Sequence, residues 1–297
     1  MKLLGTYKNG NYITSIFSDG TKIRETEADE FIATFPENID IKITNQCDME
    51  CPMCHENSYV NGKHGNIMKA EFIDTLRPYT ELAIGGGNPL AHPQLIPFLR
   101  KLKDRKIISN LTVNQTHFMK FRNLLKSLTE EGLVYGIGVS FNSADTAFID
   151  AVKKFDNAVI HVINGLITHG QLEFLADNNL KVLILGYKDF RRGETYHKEV
   201  SAYIEANQTN LKCYLKDYIP RFKVVSFDNL AIEQLNVKSL MTDEQWNEFY
   251  MGNDGNFTMY VDMVTETFAQ NSVAALNKRY PLLNTIDEMF QIVKRGV

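Results

Sequence analysis

The sequence predicts an α/β protein built on a partial barrel of six strand–helix units, a (β/α)6 arrangement with a β-meander before it and an α+β extension after it. Three observations carry that expectation. From Ile39 to about Lys188, strand-like and helix-like segments alternate, the pattern of parallel strands joined by crossover helices. Six such units can be counted, which points to an open barrel rather than a closed eightfold one. The residues richest in chemistry directly follow the strand-like runs, and α/β barrels keep their reactive groups at the C-terminal ends of their strands. The expected organisation is a meander over residues 1–38, a barrel core over 39–196 and an extension over 197–297 that packs on the barrel.

Turn signals set the first element. Asn9-Gly10 and Asp19-Gly20, pairs that favour the type I′ hairpin turn, separate the β-prone runs Leu3 to Tyr7, Tyr12 to Ser18 and Thr21 to Arg24. The meander they form reads as a structural cap. Barrel strands are expected at Ile39 to Thr44, Glu81 to Gly85, Asn110 to Gln115, Val134 to Phe141, Ala158 to Ile163 and Lys181 to Leu185, each short and rich in Val, Ile or Leu. Between them Phe118, Phe121, Leu125 and Leu128 recur on one helical face, as do Phe148, Val152 and Phe155. Thr168 with Gln171 makes a capping box for the fifth helix. Beyond Tyr196 the alternation fades into a long helix to about Leu215, a strand-like run Lys223 to Phe227 and a helix opened by Thr242 with Gln245. Phe257 to Gln270 then alternates like a β-hairpin and is a candidate partner for the meander.

Composition fits a soluble enzyme. The chain has 297 residues, 44% hydrophobic and 23% charged, enough to bury a sizeable core. Its formal charge of −4 gives no general electrostatic reason to expect nucleic acid or an anionic membrane as partner. The N-terminal segment MKLLGTYKNG lacks an apolar core of signal-peptide length, and no run approaches the ~18 apolar residues of a membrane span. A cytoplasmic location is therefore expected, and four cysteines, three of them clustered, suit a reducing compartment rather than a disulfide scaffold. Cys213 is expected in the core.

The clustered cysteines are Cys47, Cys51 and Cys54, in the run NQCDMECPMCHENS. Building a fold does not demand thiols so close together, and thiolates are soft donors suited to iron–sulfur clusters or zinc. Three ligands on a four-iron cluster leave one iron open to a second molecule. Two other readings stand beside this one. The spacing i, i+4, i+7 is also one face of a helix, although Pro52, Asp48, Glu50 and Asn45 make the run polar and loop-like. A structural zinc site would take His55, His64 or Cys213 as fourth ligand, but it lacks a second CxxC or HxxxH half.

The CxxxCxxC spacing after the first strand resembles the radical S-adenosylmethionine (radical SAM) enzymes, whose core is an incomplete, TIM-like α/β barrel. The resemblance covers about Ile39 to Lys188. It implies a single [4Fe-4S] cluster on Cys47, Cys51 and Cys54, with SAM chelating the fourth iron. It implies reductive cleavage of SAM to a 5′-deoxyadenosyl radical, which abstracts hydrogen from a small molecule, nucleotide or peptide, and a reductant such as flavodoxin or ferredoxin as partner. Within this class the alternative is an activase that installs a glycyl radical on a partner protein; outside it, a non-catalytic zinc or iron–sulfur module. After the second strand, Gly85-Gly86-Gly87-Asn88 resembles the family's GGE motif, so Gly86, Gly87 and Asn88 are expected against the SAM amino group, with Asn88 supplying an amide oxygen but no charge. Met53, before the third cysteine, is expected beside adenine. Asn114, Ser140 and Asn142 end strands where the family places polar groups toward SAM, and Leu185 ends the strand whose backbone meets adenine. Thr116 reads as a helix cap and His161 as a core histidine with a hydrogen-bond partner. Lys188, Arg191 and Arg192 form a basic trio suited to gripping a carboxylate or phosphate.

Overall fold

The computed structural model describes residues 2–296. Strands β1 (Leu3–Asn9), β2 (Tyr12–Phe17) and β3 (Lys22–Glu25) form a separate antiparallel sheet. The second sheet contains β4 (Asn38–Thr44), β5 (Glu81–Gly86), β6 (Ile108–Asn114), β7 (Gly136–Ser140), β8 (Ala158–Ile163) and β9 (Lys181–Leu185), neighbours in chain order and all parallel. These are the six expected barrel strands. The chain beyond them adds two more parallel strands: β10 (Val224–Phe227) pairs with β9, and β11 (Thr258–Asp262) pairs with β4. Antiparallel β12 (Thr267–Ala269) and β13 (Tyr280–Pro281) finish the sheet on the β11 side. The C-terminal hairpin thus joins the barrel sheet at β4 instead of the meander. Among the described residues no ladder links β10 to β11, so the barrel stays open there.

Helices α1 (Leu95–Asp104), α2 (Gln115–Glu130), α3 (Thr146–Val152), α4 (His169–Leu175) and α5 (Arg192–Tyr218) follow β5 to β9 in turn. The remaining helices are α6 (Asn229–Leu235), α7 (Asp243–Phe249) and α8 (Ile286–Arg295). Both expected capping boxes, Thr168 with Gln171 and Thr242 with Gln245, are formed. The connection from β4 to β5 has no α-helix, only a 3-10 turn at Glu71–Thr75. Its first part is the cysteine run.

Burial alternates along β5, β7, β8 and β9, while β4 is buried throughout from Ile41 to Thr44. Ile39, Ile41, Ile43, Leu82, Ile84, Leu111 and Val113 face outward under the helices and are essentially inaccessible, which is where the apolar core lies. The inward positions carry Asp40, Lys42, Ala83, Gly85, Asn110, Thr112, Gly136, Gly138 and His161. A closed barrel fills its interior with branched apolar residues. Small and polar residues leave this one hollow, with a cavity of about 1350 Å³.

The meander closes the N-terminal end of the hollow. Its Ser18 to Gly20 turn is held by Tyr135 Oη donating to Phe17 O at 2.6 Å and by Asn157 Nδ2 donating to Ser18 O at 3.1 Å. Lys22 pairs with Glu81 at 2.7 Å, tying β3 to the base of β5. The open end lies at the strand C-termini.

Candidate functional site

The cysteine loop leaves β4 at Thr44 and folds back on itself. Cys47 N donates to Tyr59 O at 2.9 Å and Tyr59 N to Asn45 O at 3.0 Å, while Cys54 N reaches Cys51 O at 3.2 Å. Left-handed backbone at Glu50 and Asn57 turns the chain on either side of the last two cysteines. Cys47, Cys51 and Cys54 are half-buried, unpaired by disulfides, and all line the cavity. Burial pushes the Cys47 and Cys51 thiols up, so a metal binding there must displace protons. No three His, Cys, Asp or Glu side chains among the described residues converge on a point where a single ion would sit. A multi-iron cluster does not require that, since each thiolate takes its own iron. Cys213 stands apart, exposed on α5, so the expectation of a core thiol is corrected: it faces out because its helix buries Leu211 and Leu215 instead.

Several side chains fix the loop from different elements. At the N-terminal turn of α2, His117 Nε2 meets Asp48 Oδ1 at 2.6 Å. From the start of α5, Arg191 Nη1 donates to Glu56 O at 3.2 Å and Arg192 Nη2 donates to Ser58 O. Two members of the expected basic trio are therefore spent on loop backbone; Lys188 donates to Ser272 Oγ at 3.0 Å and lines the cavity. Beneath the loop, Lys42 lies 2.9 Å from Glu56 and 3.4 Å from Asp262, and Tyr260 Oη donates to Glu56 at 3.0 Å. Burial would raise the Glu56 carboxyl, but His55 and Lys42 outweigh it and hold it well below the usual carboxylate range.

The glycine turn after β5 docks against the loop's entry. Gly87 N donates to Thr44 O and Asn88 N to Gln46 O, both at 2.7 Å. A Cβ on Gly87 would stand 2.2 Å from Gln46 O, and Gly86 adopts φ +110°. Gly86 and Gly87 line the cavity. Asn88 is buried, its Oδ1 accepting from Leu90 N at 3.1 Å, and it lies outside the cavity lining.

Met53, Asn114, Ser140, Asn142 and Leu185 line the same cavity as the cysteines. Asn114 and Asn142 exchange amide hydrogen bonds of 2.7 and 3.0 Å across the ends of β6 and β7. Asn114, not Thr116, caps α2, accepting from Thr116 N at 2.9 Å. His161 has no hydrogen-bond partner for its ring among the described residues and lies across Gly138, where a Cβ would be 2.3 Å from the imidazole. Burial, with the Lys188 charge, pushes its pKa down to about 4. Sequence reasoning passed over Asp40, Lys42, Gln115 and His117. The first two carried a signal: in Ile39-Asp40-Ile41-Lys42-Ile43 every second residue is charged, which a strand buried on both faces does not tolerate.

No protein-family model matches the chain. A probable GTP 3',8-cyclase of Methanocaldococcus jannaschii is 27% identical over 133 residues, 42% of this chain and 43% of that protein. The PqqA peptide cyclase of Bradyrhizobium diazoefficiens is 23% identical over 123 residues, 40% of this chain and 32% of that protein. The matches thus span less than half of each curated relative. Among solved structures, Streptococcus suis SuiB bound to S-adenosylmethionine gives a TM-score of 0.59, covering 89% of this chain and 68% of SuiB. SuiB bound to its precursor peptide SuiA gives 0.56, covering 89% and 67%. Identity is 16% in both, so the likeness is one of fold. Among the described residues no helix is long and apolar enough to cross a membrane.

Proposed function

We propose, from the premise that the chain belongs to the radical SAM enzymes, that it cleaves S-adenosylmethionine reductively and turns the radical on a small molecule, nucleotide or peptide held in the barrel lumen. One observation carries the reading. The three thiols of the CxxxCxxC loop, the Gly86–Gly87 turn and the polar ends of β6 and β7 line one cavity that runs down the hollow barrel. Soft donors on a clamped, half-buried loop suit a [4Fe-4S] cluster, with Cys47, Cys51 and Cys54 each holding one iron. The cluster and SAM, when bound, supply one-electron cleavage to a 5′-deoxyadenosyl radical.

The chain's own residues then have positioning work. His117, Arg191 and Arg192 hold the loop so that its thiols face the cavity. The Gly86–Gly87 backbone, free of side chains, offers carbonyl groups to the amino end of SAM, and the Asn114–Asn142 pair and Ser140 offer polar atoms along its length. Met53 and Leu185 give adenine an apolar wall. Asn88, its Oδ1 turned to Leu90 N, contributes through the turn it caps. The meander stops the far end of the lumen and limits solvent access from that side.

The test is an anaerobic assay of iron–sulfur-reconstituted protein with SAM and a strong reductant, following 5′-deoxyadenosine by chromatography. Product is expected from the wild type and none from Cys51→Ala, with the variant's melting curve unchanged. A fully loaded cluster that neither yields product nor binds SAM would overturn the proposal, and a Cys51→Ala chain that fails to fold would point to a structural metal.

A further inference from the structure

Acidic side chains turned into the barrel have partners within the fold. Glu81 meets Lys22 at the closed end. Asp262 and Glu56 share Lys42. Asp228 accepts from Gly186 N at 2.8 Å, and Asp254 accepts from Asn229 and Asn271 at 2.7 and 2.9 Å. On the strand walls Asp40 is the exception. It stands in the middle of β4 facing the cavity, and among the described residues no donor reaches its carboxylate.

Asp40 is exposed to the hollow and takes no donor from the fold, so its carboxylate is open to a donor that a ligand in the barrel would bring. Space for that ligand exists: the register neighbour on β5 is Ala83, and the β7 wall is Gly136 and Gly138. Asp228, Asp254 and Glu56 act on Asp40 as like charges. The cation that acts on it most, Lys188, directs its ammonium to Ser272 Oγ and toward His55 Nε2. An anionic ligand group beside Asp40 would meet a like charge, and an apolar one would leave it unpaired.

We propose that Asp40 is a specificity-determining residue of the lumen and pairs with a cationic nitrogen of the substrate, an ammonium or guanidinium of the kind that a lysine or arginine side chain carries. The inference rests on the lumen being the substrate site of the proposed enzyme.

Binding of three probes to the reconstituted protein with SAM tests it: Nα-acetyl-lysine methylamide, its neutral norleucine isostere and its anionic glutamate counterpart, each titrated by calorimetry or ligand-observed NMR. A charge-assisted hydrogen bond predicts that the lysine probe binds at least roughly tenfold tighter than norleucine. Asp40→Asn removes that preference while binding norleucine as the wild type does. Equal affinities, a lysine preference that survives Asp40→Asn, or a preference for the glutamate probe that Lys188→Met abolishes would each overturn it. The 5′-deoxyadenosine assay on the same preparation separates the two readings: SAM cleavage without any amine preference sinks this inference alone.

Discussion

At Asp40 the demands of the site and of the fold oppose each other. Burial pushes the carboxyl up, Asp254, Asp228 and Glu56 add to that rise while Lys188 opposes it, and the pKa reaches about 6. A folded acid with a raised pKa keeps its proton where the unfolded chain has lost it, so stability falls as pH rises from about 4 through about 6 and stays low above. Asp40→Asn removes the penalty. The variant is expected to melt higher than the unliganded wild type at pH about 7.5, with the difference shrinking through pH about 6 and gone near pH 4. A variant that melts lower at pH about 7.5 would show that the carboxylate makes stabilising contacts in the free protein. Lys42 behaves oppositely, because its ammonium neutralises two buried carboxylates. Lys42→Met should cost about 3–5 kcal/mol in urea unfolding, and adding Glu56→Gln should recover part of that. Full additivity of the two losses would contradict the pairing. The sequence displayed Asp40 and Lys42 openly as alternating charges in a strand, but it gave no sign of which had a partner. That depends on Glu56 and Asp262, brought in from a loop and from a strand more than two hundred residues away.

The strands of the barrel were legible because each is a compact run of β-branched and aliphatic residues, and Ala158–Ile163 and Lys181–Leu185 fall at the expected residues. The two outer parallel strands looked like parts of an extension, since parallel pairing between β4 and β11 leaves no trace in local composition. The glycine turn shows how far a motif can be read. Its glycines also serve the fold, as the docking surface for the backbone that enters the cysteine loop. Two alanine substitutions separate these settings. At Gly87 the new Cβ meets the Gln46 carbonyl, which cannot move without shifting the loop; at Gly138 the nearest atoms are those of the His161 ring, which can swing into the hollow. Gly87→Ala is therefore expected to lower stability by about 1–3 kcal/mol and to impair cluster loading, measured by iron content and absorbance, while Gly138→Ala folds and loads normally. Equal losses in the two variants would show that loop docking is not what requires Gly87.

At the scale of the molecule, the C-terminal third shares a sheet with the six central strands. It supplies β10 and β11, which flank the six central strands, and it supplies Tyr260 and Asp262 to the ion cluster under the cysteine loop. Asp254, in the loop before β11, reaches Asn229 at the start of α6 and Asn271 after β12, so one carboxylate ties together the two banks of the barrel's open side. Ending the chain after Tyr218 would remove all of these. Both sides of the parallel sheet would become bare edges, and Lys42 and Glu56 would lose their strand-borne partners. The expected outcome is a fragment that aggregates or melts without a cooperative transition, even though it holds every residue of the cysteine loop and the six strands that the sequence made most visible. A fragment of residues 1–218 that stays monomeric and unfolds cooperatively would mean instead that the six-strand core is self-sufficient, and that β10 and β11 serve to shape the lumen rather than to hold the barrel together.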